Sequence, residues 1–439
     1  MITAAQTLLP PTAPVAAPAA SLRERLLLVM LFVTVLASSL AFIEPSPHDA
    51  LMGVLAVAAL IAGVRIDRTL LVPLLLLVVW NFSGLLALMH VPGEEKTIQY
   101  TATSIYLAIA GLLFAALFTQ NIMARLTAMR TAYVLTAVIA TGLGAIGYFD
   151  WHGLGEVFAP IGRASGAFKD PNVFGPFLIW PTLFLLDRMI ARQIRFTDVI
   201  VVGILCFGLL LSFSRGAWFH FGVSCLVMIG LAFLTAPSTR GRLRVLALTA
   251  TAVVALLLLF AFLMSFESIA QMLKERAQLL QSYDVGQGGR FVLQELALGA
   301  LLQFPTGMGP FEFARVHGTQ QHNVYLQAFL VYGWLGAMAY FLLLMSTVMV
   351  GLRTALVRTP WQPYLITAVA AFIGEVAEGF VIDTDHWRHF YLLLGLVWGL
   401  AAATLREVRR APARAPAPGA RSLTATAMHQ AANSDFDGT

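Results

Sequence analysis

The sequence predicts an all-α polytopic membrane protein, and three observations support this fold class. Of the 439 residues, 59% are apolar and only 12% are charged, and the mean hydropathy is +0.79. Soluble chains average about 25% charged and about 45–50% apolar residues. Stretches without Asp, Glu, Lys or Arg recur, and some, such as 69–93, 97–124 and 216–239, exceed the about 20 residues that cross a bilayer. A soluble enzyme, a disordered protein and a disulfide scaffold are excluded.

About twelve transmembrane helices account for these apolar stretches. The predicted spans are 26–43, 49–64, 69–89, 101–118, 131–149, 173–187, 198–213, 217–236, 245–264, 323–350, 362–382 and 389–405. The second and the sixth are short, which is typical of tilted or partly re-entrant helices. Hydropathy alone therefore also allows eleven or thirteen crossings.

Charge predicts the orientation, because Lys and Arg resist translocation whereas Asp and Glu have little effect. With the N-terminus in the cytoplasm, 19 of the 28 basic residues lie inside and 16 of the 23 acidic residues lie outside. The sequence therefore predicts that both termini are cytoplasmic. A basic cytoplasmic rim also explains the net charge of +5 without nucleic acid as a partner.

The spans divide the chain into five parts. Segments 1–21 and 411–439 are rich in Ala, Pro or Thr and are predicted to be disordered tails. Transmembrane helices 1–9 occupy 22–264, and the first is predicted to be an uncleaved anchor. A long periplasmic loop follows at 265–322, and transmembrane helices 10–12 occupy 323–410.

The sequence gives no sign of a cofactor or a metal site. Cys206 and Cys225 lie inside the seventh and eighth spans and are interpreted as inert thiols rather than a disulfide. No Cys and His cluster has zinc-ligand spacing, and no Walker sequence is present. Asp383 and Asp385 form a DxD pattern that holds metal in some sugar transferases, but their very short outer loop favours an interpretation without metal.

The turn between the seventh and eighth spans carries an arginine at the outer membrane boundary. In the sequence SFSRGA, residues 212–217, Arg215 is flanked by hydroxyls such as Ser214 that can bond to helix-end backbone. An Arg in hydrocarbon costs roughly 2.5–3.5 kcal/mol, so such residues usually face protein or water and mark function. The alternative is an interfacial anchor that snorkels to water.

The long outer loop contains a second candidate arginine. Residues 267–283 have apolar side chains at helical spacing and are predicted to form an amphipathic helix on the outer leaflet. A glycine-rich turn at 286–289 precedes Arg290 and is either a flexible hinge or a backbone cradle for an anion. Residues 305–311 (PTGMGPF) form a further turn.

Histidine and carboxyl groups complete the candidate set. His322 precedes Asn323 at the start of the tenth span, where it either caps the helix or, with an unperturbed pKa of about 6.5, accepts a proton. Glu375 and Glu378 share one face of the eleventh span. At this depth they imply an Arg partner, an aqueous cavity or a structural ion pair. The residues predicted to line the cavity or contact an acceptor are Arg163, Lys169, Asn172, Asn323, Glu375 and Glu378.

The order of these motifs resembles that of the O-antigen ligase and O-antigen polymerase superfamily of bacterial envelope glycan assembly. The resemblance rests on the SFSRGA turn, the long outer loop with Arg290 and the 305–311 turn, and the sequence HNVYL at 322–326. The motifs fall within about 210–335, and the predicted twelve-span layout extends the likeness across the chain.

The resemblance implies an inverting, metal-independent glycosyl transfer on the periplasmic face of the bacterial inner membrane. The donor it implies is a glycan on undecaprenyl diphosphate. The acceptor is a sugar hydroxyl of lipid A–core in ligases or of another lipid-linked repeat unit in polymerases. The segment GAFKDPN at 166–172 is similar to members near exopolysaccharide gene clusters, so the choice between ligase and polymerase stays open.

The chemistry of such a transfer agrees with these candidates. Without a metal, the diphosphate leaving group needs fixed cations, and the planar fork of Arg binds phosphate oxygens bidentately. Arg215 and Arg290, with Ser214, are therefore predicted to bind the donor diphosphate and to stabilise the transition state. His322 is predicted to be the general base. A twelve-helix anion or proton-coupled transporter is the alternative, although the two halves of the chain show no visible repeat.

Overall fold

The computed structural model of the chain describes residues 21–91, 94–191, 194–277, 286 and 288–410. The tails predicted at 1–21 and 411–439 lie outside the described residues, except for Ser21. The Ser21 hydroxyl caps the first helix by accepting a hydrogen bond from the Glu24 N–H. The described residues form helices and turns without a β-strand, which confirms the predicted all-α fold class.

Within this part of the chain the α-helices are α1 (Leu22–Leu36), α2 (Pro47–Ile61), α3 (Leu71–Leu88), α4 (Glu95–Leu117), α5 (Ile122–Tyr148), α6 (Gly155–Phe158), α7 (Pro171–Phe177), α8 (Ile179–Ala191), α9 (Phe196–Leu211), α10 (Arg215–Thr235), α11 (Thr239–Leu263), α12 (Glu267–Ala277), α13 (Arg290–Gln303), α14 (Glu312–His317), α15 (Val324–Ala355), α16 (Gln362–Glu378) and α17 (Arg388–Arg410).

Eight helical segments of the described residues are long and apolar enough to cross a membrane. They are Arg68–Leu88, α4, α5, Pro171–Ile190, α10, α11, α15 and α17. Helices α2 and α9 are shorter apolar helices, and α1 and α16 contain 15 and 17 residues. All twelve predicted spans thus coincide with helices. The chain is a polytopic membrane protein, and the number of its crossings stays a prediction.

Close packing of small residues places α17 at the centre of the bundle. This helix contacts α4, α15 and α16. In an apolar stretch of 18 residues, 78% of its residues are buried inside the protein, compared with 6% for α11. A Cβ added at Gly395 would lie 2.6 Å from the Gly111 carbonyl oxygen, and one at Gly399 would lie 2.5 Å from that of Ala115. Glycines therefore let α17 approach α4, as small residues do at helix interfaces in membranes.

Helix α15 is interrupted at Gly333, a break that the sequence analysis did not predict. Gly333 has φ +67°, and a Cβ there would lie 2.5 Å from the carbonyl carbon of Thr306. The turn predicted at 305–311 docks at this break. The Met308 N–H donates to the Leu330 carbonyl at 2.6 Å, and the Trp334 N–H donates to the Pro305 carbonyl at 2.9 Å. The turn satisfies backbone groups that the break releases.

Helix α12 begins the region predicted to be an amphipathic helix on the outer leaflet. Ile269 and Leu273, on its apolar face, are 1% and 4% exposed and belong to the main hydrophobic core. The apolar face therefore contacts the protein itself. The rest of the predicted helix, 278–283, lies outside the described residues.

One end of the bundle collects the residues of the candidate site, and we call it the Arg215 end. Helices α10, α15 and α17 begin there, and α5, α9 and α16 end there. Backbone hydrogen bonds join its loops: the Val324 N–H donates to the Gly379 carbonyl at 2.9 Å, and the Ala164 N–H donates to the Leu211 carbonyl at 3.0 Å.

Candidate active site

The turn between α9 and α10 is fixed by its own hydroxyls. Phe213 has φ +47° and is 1% exposed. The Ser214 N–H donates to Ser212 Oγ at 3.3 Å, and the Ala217 N–H donates to Ser214 Oγ at 3.3 Å. Ser214 therefore caps the N-terminus of α10. Arg215 is the first residue of the helix and starts from a rigid turn.

Arg215 and Arg290 line the same cavity, which has a volume of about 150 Å³ and which we call the arginine cavity. A third arginine, Arg163, lines it as well. The remaining residues of its wall are Asn172, Phe213, Ser214, Gly216, Glu378, Val381 and Ile382. The three cationic side chains come from a loop, from the start of α10 and from the start of α13. The structure thus brings together two arginines that are 75 positions apart in the chain.

Arg163 holds the walls of the arginine cavity together. It is 6% exposed, its Nε donates to the Ser212 carbonyl at 2.9 Å, and its Nη2 donates to Asn172 Oδ1 at 2.8 Å. Asn172 in turn sits on α7, which is capped by Asp170. These bonds fix the guanidinium beside the turn that carries Arg215.

Lys169 lies outside the arginine cavity, although the sequence analysis grouped it with Arg163 and Asn172. Its side chain is half-exposed and forms an ion pair with Glu44 at 3.0 Å. It lines a neighbouring cavity together with Asp170. The short segment between Lys169 and Asn172 therefore separates two cavities.

His322 is not among the residues that line the arginine cavity, and its side chain is half-exposed. Its Nδ1 is 3.9 Å from Asp383 Oδ2, which is too long for a hydrogen bond. Burial and the nearby positive charge of Arg290 lower the pKa of His322, against an opposing effect of Asp170. The ring is therefore neutral at pH 7 and has a lone pair that can take a proton.

The helix cap at this position is Asn323 rather than His322. Asn323 Oδ1 accepts hydrogen bonds from the N–H groups of Tyr325 and Leu326 at 3.0 and 3.2 Å, and Nδ2 donates to the Phe380 carbonyl at 3.1 Å. His322 has φ +50°, in the left-handed region. Asn323 thus starts α15 and ties it to the loop after α16.

Glu378, in the wall of the arginine cavity, is fully buried and paired with a histidine. His220 Nδ1 lies 2.9 Å from Glu378 Oε2, and His220 Nε2 lies 2.9 Å from the Ala371 carbonyl oxygen. Because a carbonyl only accepts, Nε2 carries a hydrogen, and a second proton must lie between Nδ1 and Oε2. The pair therefore has no net charge, whichever of its members holds that proton.

Glu375, one turn earlier on α16, has a different histidine beside it. Its Oε1 is 3.3 Å from His389 Nε2 on α17, and both residues are buried. Within the described residues, neither carboxyl oxygen of Glu375 accepts a hydrogen bond. The sequence analysis expected an Arg partner, a cavity or an ion pair for these carboxyl groups, and the structure places each of them beside a histidine.

His220 and His389 were missed in the sequence analysis. A signal for His220 was available, since it is an ionisable residue inside the charge-free stretch 216–239, and such residues mark functional sites in membranes. His389 lies next to Arg388 at a helix start rather than deep inside a charge-free stretch, so no comparable signal marks it. The pairing of α10 with α16 that brings His220 to Glu378 cannot be read from spacing along the chain.

The two aspartates of the DxD pattern have separate surroundings. Asp385 Oδ2 accepts a hydrogen bond from the Tyr100 hydroxyl at 2.9 Å and lies 3.0 Å from His386 Nδ1. Burial, with the adjacent charge of Asp385, raises the pKa of Asp383 to about 7. Across the described ranges no group of three or more His, Cys, Asp or Glu side chains is placed to hold a metal ion. Metal independence stays a prediction.

The helix bundle thus places three arginines around one cavity at one of its ends, and guanidinium groups suit an anionic ligand. Residues 200–341 match the family described as O-Antigen ligase, and this range contains Arg215, Arg290 and His322. The match covers about a third of the chain and supports the O-antigen ligase and polymerase superfamily that the motifs resemble. Members of this superfamily are glycosyltransferase-like membrane enzymes of bacterial glycan assembly. No protein of curated function matches the chain.

Proposed function

We propose that the protein transfers a glycan from undecaprenyl diphosphate to a sugar hydroxyl, with inversion at the anomeric carbon and without a metal. The observation that supports this most is the meeting of Arg163, Arg215 and Arg290 in one cavity at an end of the helix bundle. A lipid-linked diphosphate presents its anionic group at that depth while its tail stays among the lipids. The family match supports a lipid-linked glycan as substrate.

In the proposed reaction the acceptor oxygen attacks the anomeric carbon on the face opposite the diphosphate. The bond between that carbon and the phosphate oxygen breaks, and its electron pair stays on the phosphate oxygen. The neutral ring of His322 takes the proton of the acceptor hydroxyl, a contribution of roughly 10²–10⁴ in rate. A single displacement inverts the configuration, and the diphosphate leaves without needing a proton.

The guanidinium groups supply the positive charge that the departing diphosphate requires. Arg215 and Arg290 each offer a planar fork for two phosphate oxygens. Arg163 is held by Ser212 and Asn172, so its charge is in place before the substrate arrives. The His220–Glu378 pair has no net charge, so it does not repel the diphosphate.

The proposed location is the bacterial inner membrane, with the Arg215 end in the periplasm and both termini in the cytoplasm. The segments predicted to be cytoplasmic carry 19 of the 28 Lys and Arg residues, which supports this orientation. The acceptor is then a periplasmic sugar, either on lipid A–core or on another lipid-linked repeat unit.

A proton-coupled or anion carrier is the second candidate function. Glu375 and Glu378 are fully buried within a helix of the bundle and lie beside histidines, as carboxyl groups in proton relays do. A carrier would move solute without making a glycosidic bond. The formation of that bond therefore separates the two candidates.

Transfer by the purified protein in proteoliposomes tests the proposed function. The donor is an undecaprenyl diphosphate-linked repeat unit, and the two acceptors are lipid A–core and a second lipid-linked repeat unit. We expect one acceptor to gain the glycan, with release of undecaprenyl diphosphate, and we expect a chelator to leave the rate unchanged. Solute uptake without any glycan product would support the carrier, and a strict requirement for Mg²⁺ or Mn²⁺ would contradict the metal-free mechanism.

A further inference from the structure

A second cavity lies on the other side of the segment between Lys169 and Asn172, and we call it the aromatic cavity. Its volume is about 240 Å³. Five aromatic side chains line it, together with polar and charged residues. The aromatic residues are Phe114, Tyr133, Phe168, Phe177 and Trp387, and the polar or charged ones are Ser38, Glu44, His48, Lys169, Asp170, His386, Arg388 and His389.

The positive charges of Arg388 and Lys169 in the wall of this cavity are each balanced by a nearby carboxylate. Arg388 donates from Nε and Nη2 to both carboxyl oxygens of Asp49 at 2.8 and 2.7 Å. Lys169 forms its ion pair with Glu44, and Asp170 adds a further carboxylate to the wall. The aromatic cavity is therefore suited to a ligand without net charge.

Buried histidines supply hydrogen-bonding groups in the wall. His48 Nδ1 lies 2.8 Å from the Thr34 carbonyl oxygen, so Nδ1 is the donor and Nε2 of the neutral ring is an acceptor. His389 is 4% exposed on its side chain, and its Nε2 makes no hydrogen bond in the described residues, although Glu375 is 3.3 Å away. A buried polar group without a hydrogen bond costs free energy, which a ligand hydroxyl would recover.

We propose that the aromatic cavity binds one pyranose ring of the acceptor, an inference that rests on the proposed glycosyl transfer. A pyranose has an apolar C–H face, which packs against aromatic rings, and a rim of hydroxyls, which bond to groups such as His48 and His389. Ligand pockets hold drug-sized molecules in about 300–1,000 Å³. A cavity of about 240 Å³ therefore matches a single ring rather than an oligosaccharide.

The position of the aromatic cavity fits this role. Asp170 lines it, whereas Asn172, two residues later, lines the arginine cavity. His322 is influenced by charges from both sides, by Arg290 of one cavity and by Asp170 of the other. Asp170 thus connects the aromatic cavity with the proposed base, and only the segment between Lys169 and Asn172 separates this cavity from the arginine cavity.

Steady-state kinetics with two variants test this proposal. Trp387→Ala removes an aromatic wall, and Val173→Trp fills the cavity, since Val173 also lines it. We expect each variant to raise the KM for the acceptor about tenfold or more and to leave the KM for the donor within about twofold, because one tenfold change corresponds to about 1.4 kcal/mol of binding. The matched control is Trp151→Ala, a tryptophan that is 61% exposed and lines neither cavity.

Chemical labelling gives a second readout that does not depend on turnover. In a background with Cys206→Ala and Cys225→Ala, Val173→Cys places one thiol in the aromatic cavity. The probes are delipidated core oligosaccharide, delipidated repeat-unit oligosaccharide and inorganic pyrophosphate. We expect one of the oligosaccharides, but not pyrophosphate, to slow maleimide labelling.

The outcomes separate this proposal from the proposed function. Protection by an oligosaccharide in a protein that transfers no glycan would keep the sugar site and overturn the transfer. Transfer with unchanged acceptor KM in both Trp387→Ala and Val173→Trp, and no protection by either oligosaccharide, would overturn the sugar site alone. Protection by pyrophosphate only would also overturn it.

Discussion

Helix α16 carries two buried carboxyl–histidine pairs that differ in geometry. Glu378 and His220 share a hydrogen bond at 2.9 Å, and the other nitrogen of His220 bonds to the Ala371 carbonyl. Glu375 and His389 lie 3.3 Å apart without a hydrogen bond in the described residues. In the first pair, both ring nitrogens of His220 make hydrogen bonds within the protein. In the second pair, the Glu375 carboxyl and His389 Nε2 make none in the described residues.

The hydrogen bonding of each pair corresponds to the cavity that the pair faces. Glu378 lines the arginine cavity, where an unpaired carboxylate would compete with a diphosphate for the guanidinium groups. Its shared proton with His220 prevents this competition. His389 lines the aromatic cavity, where a polar group that awaits a ligand is useful. In the proposed function, the Glu378 pair thus faces the charged donor and the Glu375 pair faces the uncharged acceptor ring.

Removing the charge of the arginine cavity has the greatest consequence. We predict that Arg215→Ala and Arg290→Ala each abolish glycan transfer by the inserted protein, since even one lost transition-state donor costs about 10²–10³ in rate. Product formation in proteoliposomes measures this. Arg315→Ala is the matched control, because Arg315 is 62% exposed on its side chain and pairs with Glu94 and Glu312. Near-normal turnover in either arginine variant would remove that residue from the mechanism.

Loss of the base is expected to slow the chemical step without weakening the donor site. We predict that His322→Ala lowers kcat by roughly 10²–10⁴ and changes the donor KM little, because the arginines remain. His317→Ala, on α14, serves as the control histidine. Retained activity in His322→Ala would show that another group takes the proton.

The neutral His220–Glu378 pair is tested by a double-mutant cycle. His220→Gln removes the imidazole that hydrogen-bonds Glu378, and burial then favours the protonated, uncharged carboxyl, so we predict a donor KM within about threefold of that of the natural protein. Glu378→Gln, and the double variant, should stay within about threefold of the natural protein, because both keep the pair uncharged. His389→Gln, in the second pair, should leave the donor KM unchanged. A tenfold rise of the donor KM in His220→Gln that is reversed in the double variant would show that Glu378 is ionised without its histidine, and would contradict this account.

A small pH effect distinguishes the two charges that act on His322. Asp170 raises the pKa of His322, and the neutral form of the ring is the active one. Asp170→Asn removes that charge and keeps the cap on α7, since an Asn oxygen also accepts from the Asn172 N–H. We predict that the acid limb of kcat moves to lower pH, as the His322 pKa falls further. A shift to higher pH would contradict this assignment.

Much of the fold was predictable, because a transmembrane helix is determined by the hydropathy of consecutive residues. Length, hydropathy and charge predicted twelve spans that all overlap helices, and α10 begins at Arg215, two residues before the predicted span 217–236. The break at Gly333 was not predictable, since it depends on the docking of residues 305–311. A hydropathy profile contains no information about which loop meets which helix.

The candidate site was predictable in its residue types and less so in its contacts. Arg215 and Arg290 line one cavity, as expected of donor-binding residues, whereas Lys169 and Asn172 line different cavities. Lys169 and Asn172 are only three positions apart, and no rule based on sequence spacing predicts that their side chains line different cavities. His220 and His389 depend on contacts between helices that are distant along the chain.

Direct observation of a bound diphosphate is the decisive measurement. We would determine the structure of the protein in lipid nanodiscs with undecaprenyl diphosphate by electron cryomicroscopy. We predict density for the diphosphate within hydrogen-bond distance of both Arg215 and Arg290, with the isoprenoid tail leaving between helices into the lipid. A diphosphate bound at the opposite end of the bundle, or one that contacts neither arginine, would contradict the proposed transfer site.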